Sequence, residues 1–269
     1  MKTFNGVLTL NKNSRGCYIL DTVKGCGVCR DEKPMGCYDN CYAKRIADRY
    51  RFDFGETVTR KLDTDDGQNY LFDVRDQHHI GQLVKQVKNA SMPFIRIGEM
   101  GDPSYDWNYT IDVCEKLAVA GKPIVIITKH WNTIPDDLID RIAELDICIN
   151  TSISALDHNY EIYNRRIQYE RLKSCCKSVL RVVTCDFNIG CQEGLDAEIM
   201  QEYLLGMENV VETVFRPDKE NRLILEGVIN VKRVHFMGSK CLASMRSDDI
   251  FLGYCNQCPD MCGLTEDIE

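Results

Sequence analysis

The sequence predicts an α/β fold: a partial (β/α)6 TIM-type barrel of parallel strands, followed by a cysteine-rich C-terminal extension. Strand and helix patterns alternate through the middle of the chain, which is typical of a parallel sheet with helical crossovers. The central strands are short apolar runs, as expected for strands that are buried on both faces. Polar residues follow these runs, where βα proteins place their binding groups. We expect the barrel in residues 1–222 and the extension in residues 223–269.

Five strands and four helices are predicted between residues 93 and 215. The strands are 93–98, Ile124–Thr128, 146–153, 179–184 and 210–215, and the helices are 111–120, 135–145, 159–175 and 195–205. Gly121 and Pro123 mark the end of the first helix, and Pro135 suits the first turn of the second. A partial barrel needs one more strand, which must lie near the N-terminus or after Leu223.

Polar residues follow four of these strands. They are Glu99 and Asp102, then Lys129 and His130, then Ser152 and Ser154, and finally Asp186 and Asn188. Because the carboxyl ends of parallel strands meet at one edge of a sheet, we expect these side chains to face a common site. An ordinary polar loop would explain any one pair, but four strand ends that all become polar favour a site.

Composition and charge narrow the classes of function. The chain has 269 residues, of which 44% are hydrophobic, so it is long enough to bury a sizeable core. It contains no run of about 18 apolar residues, and its first ten residues lack the apolar core of a secretory signal. We therefore expect a cytoplasmic protein without a membrane partner. The net charge of -8 argues against a broad electrostatic surface for nucleic acid, but not against a local basic cleft.

Fifteen cysteines are present, and nine of them form two groups near the ends of the chain. The first group is Cys17, Cys26, Cys29, Cys37 and Cys41, and the second is Cys241, Cys255, Cys258 and Cys262. In a chain of this size without an export signal, grouped thiols indicate metal or iron–sulfur binding more than disulfides. Of the others, Cys114 and Cys148 lie on apolar strand or helix faces, where we expect small buried hydrophobes.

Cys26, Cys29, Cys37 and Cys41 of the first group lie in a short glycine-containing segment that ends in Cys41-Tyr-Ala-Lys-Arg45, and a helix is predicted over Tyr42–Tyr50. This segment resembles radical S-adenosylmethionine (SAM) enzymes, most closely the spore photoproduct lyase-like branch and a related phage-associated family. Similar short motifs follow in the same order. They are Ile97-Gly-Glu99 with Gly101-Asp-Pro103, then Thr128-Lys129, then Ser152-Ile-Ser-Ala-Leu-Asp157 with Arg165. The resemblance covers roughly residues 15–190.

The resemblance implies a [4Fe-4S] cluster that is held by three cysteines and leaves one iron open for SAM. Reductive cleavage of SAM would give a 5′-deoxyadenosyl radical that abstracts hydrogen from a substrate. By the same resemblance, Glu99 with Gly98 would hold the SAM amino group. Lys129, Ser152 and Arg165 are the candidates for its carboxylate or ribose, and Tyr42 or Tyr38 is the candidate to pack beside adenine.

The partners are also implied by the resemblance. The substrate would be a nucleobase, a nucleotide or a nucleic acid, or another small molecule. An electron donor such as a flavodoxin or a ferredoxin would reduce the cluster. The host would be a microbial or phage-infected cell, with the protein in its cytoplasm.

The cysteine spacing departs from the usual Cys-x3-Cys-x2-Cys of that family. Seven residues separate Cys29 from Cys37, and three separate Cys37 from Cys41. The phage-associated family also has a long first gap, so Cys29, Cys37 and Cys41 are the predicted ligands. Either Cys26 or Cys17 could replace Cys29. A closed zinc site of Cys26, Cys29, Cys37 and Cys41 is the alternative, and it would make the protein a non-catalytic, zinc-binding interaction module.

The second group offers four thiols in the pattern Cys241-x13-Cys255-x2-Cys258-x3-Cys262. Four thiolates at such spacing can ligate a second, fully coordinated [4Fe-4S] cluster or a structural zinc ion. Free or redox-active thiols are the remaining interpretation. We predict a second metal centre at these four cysteines.

Overall fold

The computed structural model describes residues 8–23, 25–26, 37–38, 41–50 and 77–265. Its strands are β1 (Asn11–Lys12), β2 (Tyr18–Leu20), β3 (Ile95–Ile97), β4 (Ile124–Thr128), β5 (Ile147–Ile153), β6 (Lys177–Thr184), β7 (Asp186–Phe187), β8 (Val210–Val214), β9 (Ile229–Asn230), β10 (Lys232–Phe236) and β11 (Ser239–Ala243). Its α-helices are α1 (Tyr42–Tyr50), α2 (Gln77–Asn89), α3 (Trp107–Ala118), α4 (Ile139–Ala143), α5 (Asn159–Leu172), α6 (Gln192–Leu205) and α7 (Arg222–Leu225).

The main sheet has seven strands in the order β1-β2-β3-β4-β5-β6-β8. The β1–β2 pair is antiparallel, whereas β2, β3, β4, β5, β6 and β8 pair in parallel with one another in that order. Helices lie between consecutive parallel strands, as parallel connections require. This confirms the predicted α/β class, and six parallel strands in chain order are compatible with a partial barrel.

Most of the predicted elements are present. All five strands between residues 93 and 215 form, and the missing sixth strand is β2, near the N-terminus. Helix α1 has the predicted bounds. The segment 135–145 is less helical than predicted, because it divides into a 3-10 turn, Asp136–Leu138, and the short α4. The sequence analysis did not anticipate α2 or the β10–β11 hairpin.

The two faces of the sheet pack against different layers. Ile95, Ile124 and Ile147 lie in an apolar cluster that also contains side chains of α2, α3 and α4, which defines the helix face. Their neighbours Phe94, Val125 and Cys148 lie in a second cluster, which defines the extension face. This alternation follows from the two-residue period of a strand, and it explains the continuous apolar runs of β4 and β5.

The C-terminal extension packs against the extension face. Cys255 and Leu264 are buried in the same cluster as Phe94, Val125 and Cys148. The approach is close: a Cβ added at Gly263, whose φ is +92°, would lie 2.5 Å from Val179 Cγ2. The extension therefore covers one face of the sheet as the helices cover the other. The predicted boundary after residue 222 falls inside α7.

Helix lengths bear on membrane association. In the part of the chain that the structure describes, no helix combines the length and the apolar character that a membrane crossing needs. The longest described helices, α5 and α6, have 14 residues each.

Deleting the Leu264 side chain tests how strongly the extension is anchored. Leu264 is 2% exposed among the side chains of the extension face. Leu264→Ala should lower the free energy of unfolding by about 2–5 kcal/mol, because it opens a cavity in a packed cluster. Urea denaturation followed by circular dichroism measures this. Leu225→Ala is the matched control, since Leu225 is 73% exposed. Equal effects of the two substitutions would contradict this packing.

Candidate functional site

Two carboxylates fasten neighbouring loops at the carboxyl edge of the sheet. Asp21, just after β2, accepts hydrogen bonds from the backbone N–H groups of Glu99 at 2.7 Å and Met100 at 3.1 Å. Asp102 accepts from the Thr128 hydroxyl at 2.6 Å and from the Lys129 backbone N–H at 2.7 Å. The loops after β2, β3 and β4 are therefore held together. Asp102, which the sequence analysis took for a strand-end polar residue, positions the loop that carries Lys129.

Glu99 lies at this edge with its carboxylate already engaged. Its Oε2 accepts from Asn13 Nδ2 at 3.2 Å and forms an ion pair with Arg96. The Tyr42 hydroxyl donates to the backbone carbonyl of Glu99, which joins the start of α1 to the loop after β3. The structure thus brings the predicted site residues Glu99 and Tyr42 together.

Gly98 has a structural reason to be glycine. Its φ is +95°, and a Cβ at this position would lie 2.3 Å from the backbone oxygen of Ile127 and 3.1 Å from Pro103 Cδ. Only glycine fits such a conformation so close to a neighbouring strand. Gly98 therefore allows the sharp turn that directs the chain from β3 into Glu99.

A buried ion cluster, defined here as Tyr38, Lys129, Asp157 and Arg165, lies beside the same loops. Lys129 Nζ is 3.1 Å from Asp157 Oδ1, and Arg165 is 2.6 Å from Asp157 Oδ2. The Tyr38 hydroxyl donates to Asp157 Oδ1 at 3.0 Å, and Lys129 Nζ donates to the Tyr38 oxygen at 2.6 Å. Arg165 Nε also donates to the Lys129 carbonyl at 2.6 Å. The predicted site residues Lys129 and Arg165 thus share one carboxylate.

Electrostatics explain how this cluster tolerates burial. Burial alone would raise the pKa of Asp157, but Lys129 and Arg165 outweigh it and hold that pKa below its usual value. Burial raises the pKa of Tyr38, and the adjacent Asp157 charge adds to the effect, so the phenol stays protonated and can donate. Arg165 is 1% exposed, and a charge so deeply buried needs a counter-ion.

Asp157 ends the motif Ser152-Ile-Ser-Ala-Leu-Asp157 and is not among the predicted site residues. Its Oδ2 accepts from the backbone N–H of Ser154 at 2.8 Å, which fixes the loop after β5. The spacing Ser154-x2-Asp157 indicates a turn, but it does not predict that Asp157 forms ion pairs with Lys129 and Arg165. Ser152 lies within β5, in register with Arg181 of β6, and makes none of the hydrogen bonds of the buried ion cluster.

Thiols of the N-terminal group meet next to this cluster. Cys26 and Cys41 pack in one small apolar cluster with Met100 and Trp131. Cys37 has a φ of +49° and interacts electrostatically with Cys26, Cys41 and Lys129. Tyr38, the next residue, belongs to the buried ion cluster, so the thiols and the predicted SAM-binding residues adjoin.

Cys41 lies directly before α1, and its sulfur accepts a hydrogen bond from the Lys44 backbone N–H at 3.4 Å. The unpaired N–H groups at the start of a helix favour negative charge, including that of a thiolate. Cys29, the predicted first ligand, lies outside the described residues. Of the two alternatives for it, the structure places Cys26 beside Cys41.

The other alternative, Cys17, lies elsewhere. Cys17 precedes β2, at the opposite edge of the sheet, and its side chain is buried in the same cluster as Cys255. Cys262 interacts electrostatically with Cys17, Cys148 and Cys258. Cys241 lies on β11, opposite Val234 of β10, so the structure adds Cys17 to the C-terminal thiols and puts Cys241 on a separate hairpin.

His130, one of the predicted strand-end polar residues, is buried. Its Nε2 is 3.0 Å from the Thr151 hydroxyl, and its Nδ1 has no hydrogen-bond partner among the residues that the structure describes. Burial, aided by the Arg165 charge, lowers the pKa of His130 to about 3. The ring is therefore neutral at physiological pH, and it packs 5.7 Å from the Trp107 ring.

Neither the arrangement of possible metal ligands nor the comparisons with known proteins identify what this site binds. Within residues 8–23, 25–26, 37–38, 41–50 and 77–265, no three histidine, cysteine, aspartate or glutamate side chains are arranged to hold a single metal ion. No protein-family model matches the chain, and no curated protein matches its sequence. The radical SAM resemblance therefore depends on the short motifs and on where the fold puts them.

Replacing Asp157 should show how much the buried ion cluster contributes. Asp157→Asn leaves the buried Lys129 without its counter-ion and Arg165 with only the longer contact to Glu161 at 3.9 Å, so the free energy of unfolding should fall by about 3–5 kcal/mol. Guanidinium chloride denaturation at neutral pH measures this. Asp137→Asn, at an exposed position, is the control and should change stability by less than about 0.5 kcal/mol. A loss below about 1 kcal/mol for Asp157→Asn would show that the ion pairs are weak.

His130 should make stability depend on pH. Because its pKa is about 3 in the folded protein and about 6.5 in the unfolded chain, the unfolded state binds the extra proton below pH 6.5. The contribution of His130 to the free energy of unfolding should fall by about 2 kcal/mol when the pH is lowered from 7.5 to 5. Urea titrations at the two pH values should show a smaller difference for His130→Asn than for the wild type. His235→Asn, on exposed β10, should retain the wild-type difference, and an unchanged slope in His130→Asn would disprove the assignment.

Proposed function

We propose that this protein is a radical SAM enzyme that binds a [4Fe-4S] cluster and SAM at the carboxyl edge of its sheet. The observation that most supports this is the position of the N-terminal thiols. Cys26, Cys37 and Cys41 adjoin one another at the start of α1, next to the loops that follow six parallel strands. That combination joins soft ligands to the edge where βα proteins carry out their chemistry.

The donor set fits an anionic iron–sulfur cluster. Thiolates are the usual ligands of such clusters, and the Lys44 N–H that points at Cys41 Sγ stabilises negative charge on that sulfur. Met100 and Trp131 pack beside Cys26 and Cys41 and would help to exclude water from the cluster. Cys37 and Cys41 are two of the proposed ligands, and the third is Cys29 or Cys26.

Several residues would orient SAM. The Glu99 carboxylate uses Oε2 for Asn13 and Arg96, so its Oε1 can accept a hydrogen bond from the SAM ammonium group. Lys129 Nζ has three N–H donors and directs two of them to Tyr38 and Asp157, which leaves one for a carboxylate or a ribose. Asp157 holds both cations in fixed positions, so little side-chain freedom is lost when a ligand binds.

When bound and reduced, the cluster supplies the electron that cleaves the sulfonium bond of SAM. The protein positions the reactants, holds Tyr38 protonated and shields the site. The proposed substrate is a nucleobase, a nucleotide or a nucleic acid, and the proposed electron donor is a flavodoxin or a ferredoxin. The sequence resemblance is the support for both.

The test is anaerobic reconstitution with iron and sulfide, followed by dithionite reduction with SAM. The expected product is 5′-deoxyadenosine, measured by liquid chromatography. Cys41→Ala should lower its formation at least about 100-fold, because one protein ligand of the cluster is lost. Cys191→Ala, at the start of α6, is the matched control and should retain activity. A colourless protein that contains zinc and releases no 5′-deoxyadenosine would refute the proposal.

The third ligand can be identified in the same assay. Cys29→Ala and Cys26→Ala are compared, and the variant that loses 5′-deoxyadenosine formation together with part of the cluster absorbance identifies the ligand. Loss in neither variant would contradict a cluster held by this cysteine group.

A further inference from the structure

The second thiol group lies at the amino ends of the strands. Cys17 precedes β2, and its backbone N–H is held by Asn13 Oδ1 at 3.0 Å. The backbone N–H of Cys255 donates to the Arg15 carbonyl at 2.8 Å, which holds the extension to the same N-terminal loop. As a result, Cys17 and Cys255, which are more than 230 positions apart in the sequence, are buried in the same cluster.

The chain around Cys262 is bent to fit this place. Met261, Cys262 and Gly263 have φ values of +44°, +60° and +92°, and the first two are in a conformation that side chains seldom adopt. The Cys262 carbonyl accepts from Asn150 Nδ2 at 3.0 Å and from the Cys148 thiol at 3.5 Å. Such strain persists where surrounding contacts enforce it, and it is concentrated at functional sites.

These thiols border a cavity with a strong excess of arginines. Its lining includes Cys255, Cys258, Cys262, Arg15, Arg96, Arg181 and Arg216. Glu212 and Asp260 also line it. Glu212 forms an ion pair with Arg246 at 2.8 Å, and Arg96 forms one with Glu99. A chain of net charge -8 thus gathers four guanidinium groups around one space, which favours an anionic occupant.

The arginines are held in place before any ligand binds. Arg181 donates to Asn150 Oδ1 at 3.0 Å and to the Thr213 hydroxyl at 2.8 Å, and Arg15 Nε donates to the Gly253 carbonyl at 2.9 Å. Arg96 Nε is buried, and it has no hydrogen-bond partner among the described residues. A buried donor of this kind costs about 1–3 kcal/mol unless it finds an acceptor.

We propose that Cys17, Cys255, Cys258 and Cys262 ligate a second [4Fe-4S] cluster in this cavity, with the four arginines balancing its negative charge. Four thiolates bring a cluster of this type to a net charge of about -2, and its inorganic sulfides can accept hydrogen bonds from guanidinium groups. All four irons would have protein ligands, so this centre would leave no iron open for SAM.

The inference goes beyond the proposed function, and it changes the ligand set that the sequence predicted. Cys241 is replaced by Cys17, because Cys241 lies on the β10–β11 hairpin. Cys148 would be a supporting residue that positions the Cys262 loop through its bond to the Cys262 carbonyl.

The test counts iron and sulfide in the full-length chain after anaerobic reconstitution. A Cys37→Ala/Cys41→Ala variant removes the first centre and should retain about four irons and four sulfides per chain. Adding Cys17→Ser or Cys258→Ser to it should reduce both to below about one, whereas adding Cys241→Ser should leave them unchanged. Circular dichroism confirms that each variant is folded, and Mössbauer spectra identify the cluster type.

The outcomes separate this inference from the proposed function. Iron that is lost with Cys241→Ser but kept with Cys17→Ser would overturn the ligand set, and zinc in place of iron would overturn the cluster. If wild-type protein held about four irons, all lost with Cys17→Ser and none with Cys37→Ala/Cys41→Ala, this inference would stand and the proposed function would fail.

Discussion

The carboxylate of Asp157 joins distant parts of the chain at the carboxyl edge of the sheet. It lies after β5 and contacts Lys129 from the end of β4, Arg165 from α5 and Tyr38 from the N-terminal thiol loop. Asn221 extends the connection, because its Nδ2 donates to the Tyr38 carbonyl at 2.9 Å. The position of the thiols relative to the sheet depends on these contacts, since Tyr38 is the residue next to Cys37.

The two thiol groups lie at opposite ends of the same parallel strands. One group adjoins the strand-end loops that are fixed by Asp21 and Asp102, and the other lies where the extension covers the sheet. Their surroundings differ in charge. The first has a lysine and an arginine paired with a carboxylate, whereas the second borders four arginines that outnumber the nearby carboxylates. We propose that a cluster with one iron open for SAM lies at the first thiol group, and that a cluster with four cysteine ligands lies at the second.

Local patterns were sufficient for most of the fold. The apolar run of β4, the proline and glycine around α3 and the strand-end polar residues predicted a parallel α/β sheet, and the sheet forms in that order. These signals depend on residues that are close together in the sequence, so they can be recognised without the structure. The prediction failed for α2, where Gly81 interrupts the helical pattern, and for the β10–β11 hairpin, which has few buried side chains.

The sequence by itself determined the class of fold, the helix after Cys41 and the types of residue at the strand ends. Only the tertiary structure decided which of those residues meet. Asp157 became the shared counter-ion of Lys129 and Arg165, and Cys17 became a neighbour of Cys255 instead of Cys41. The physical reason is that these contacts join residues far apart in the chain, so they depend on the register of the strands and on the path of the extension. Spacing along the chain does not encode either of them.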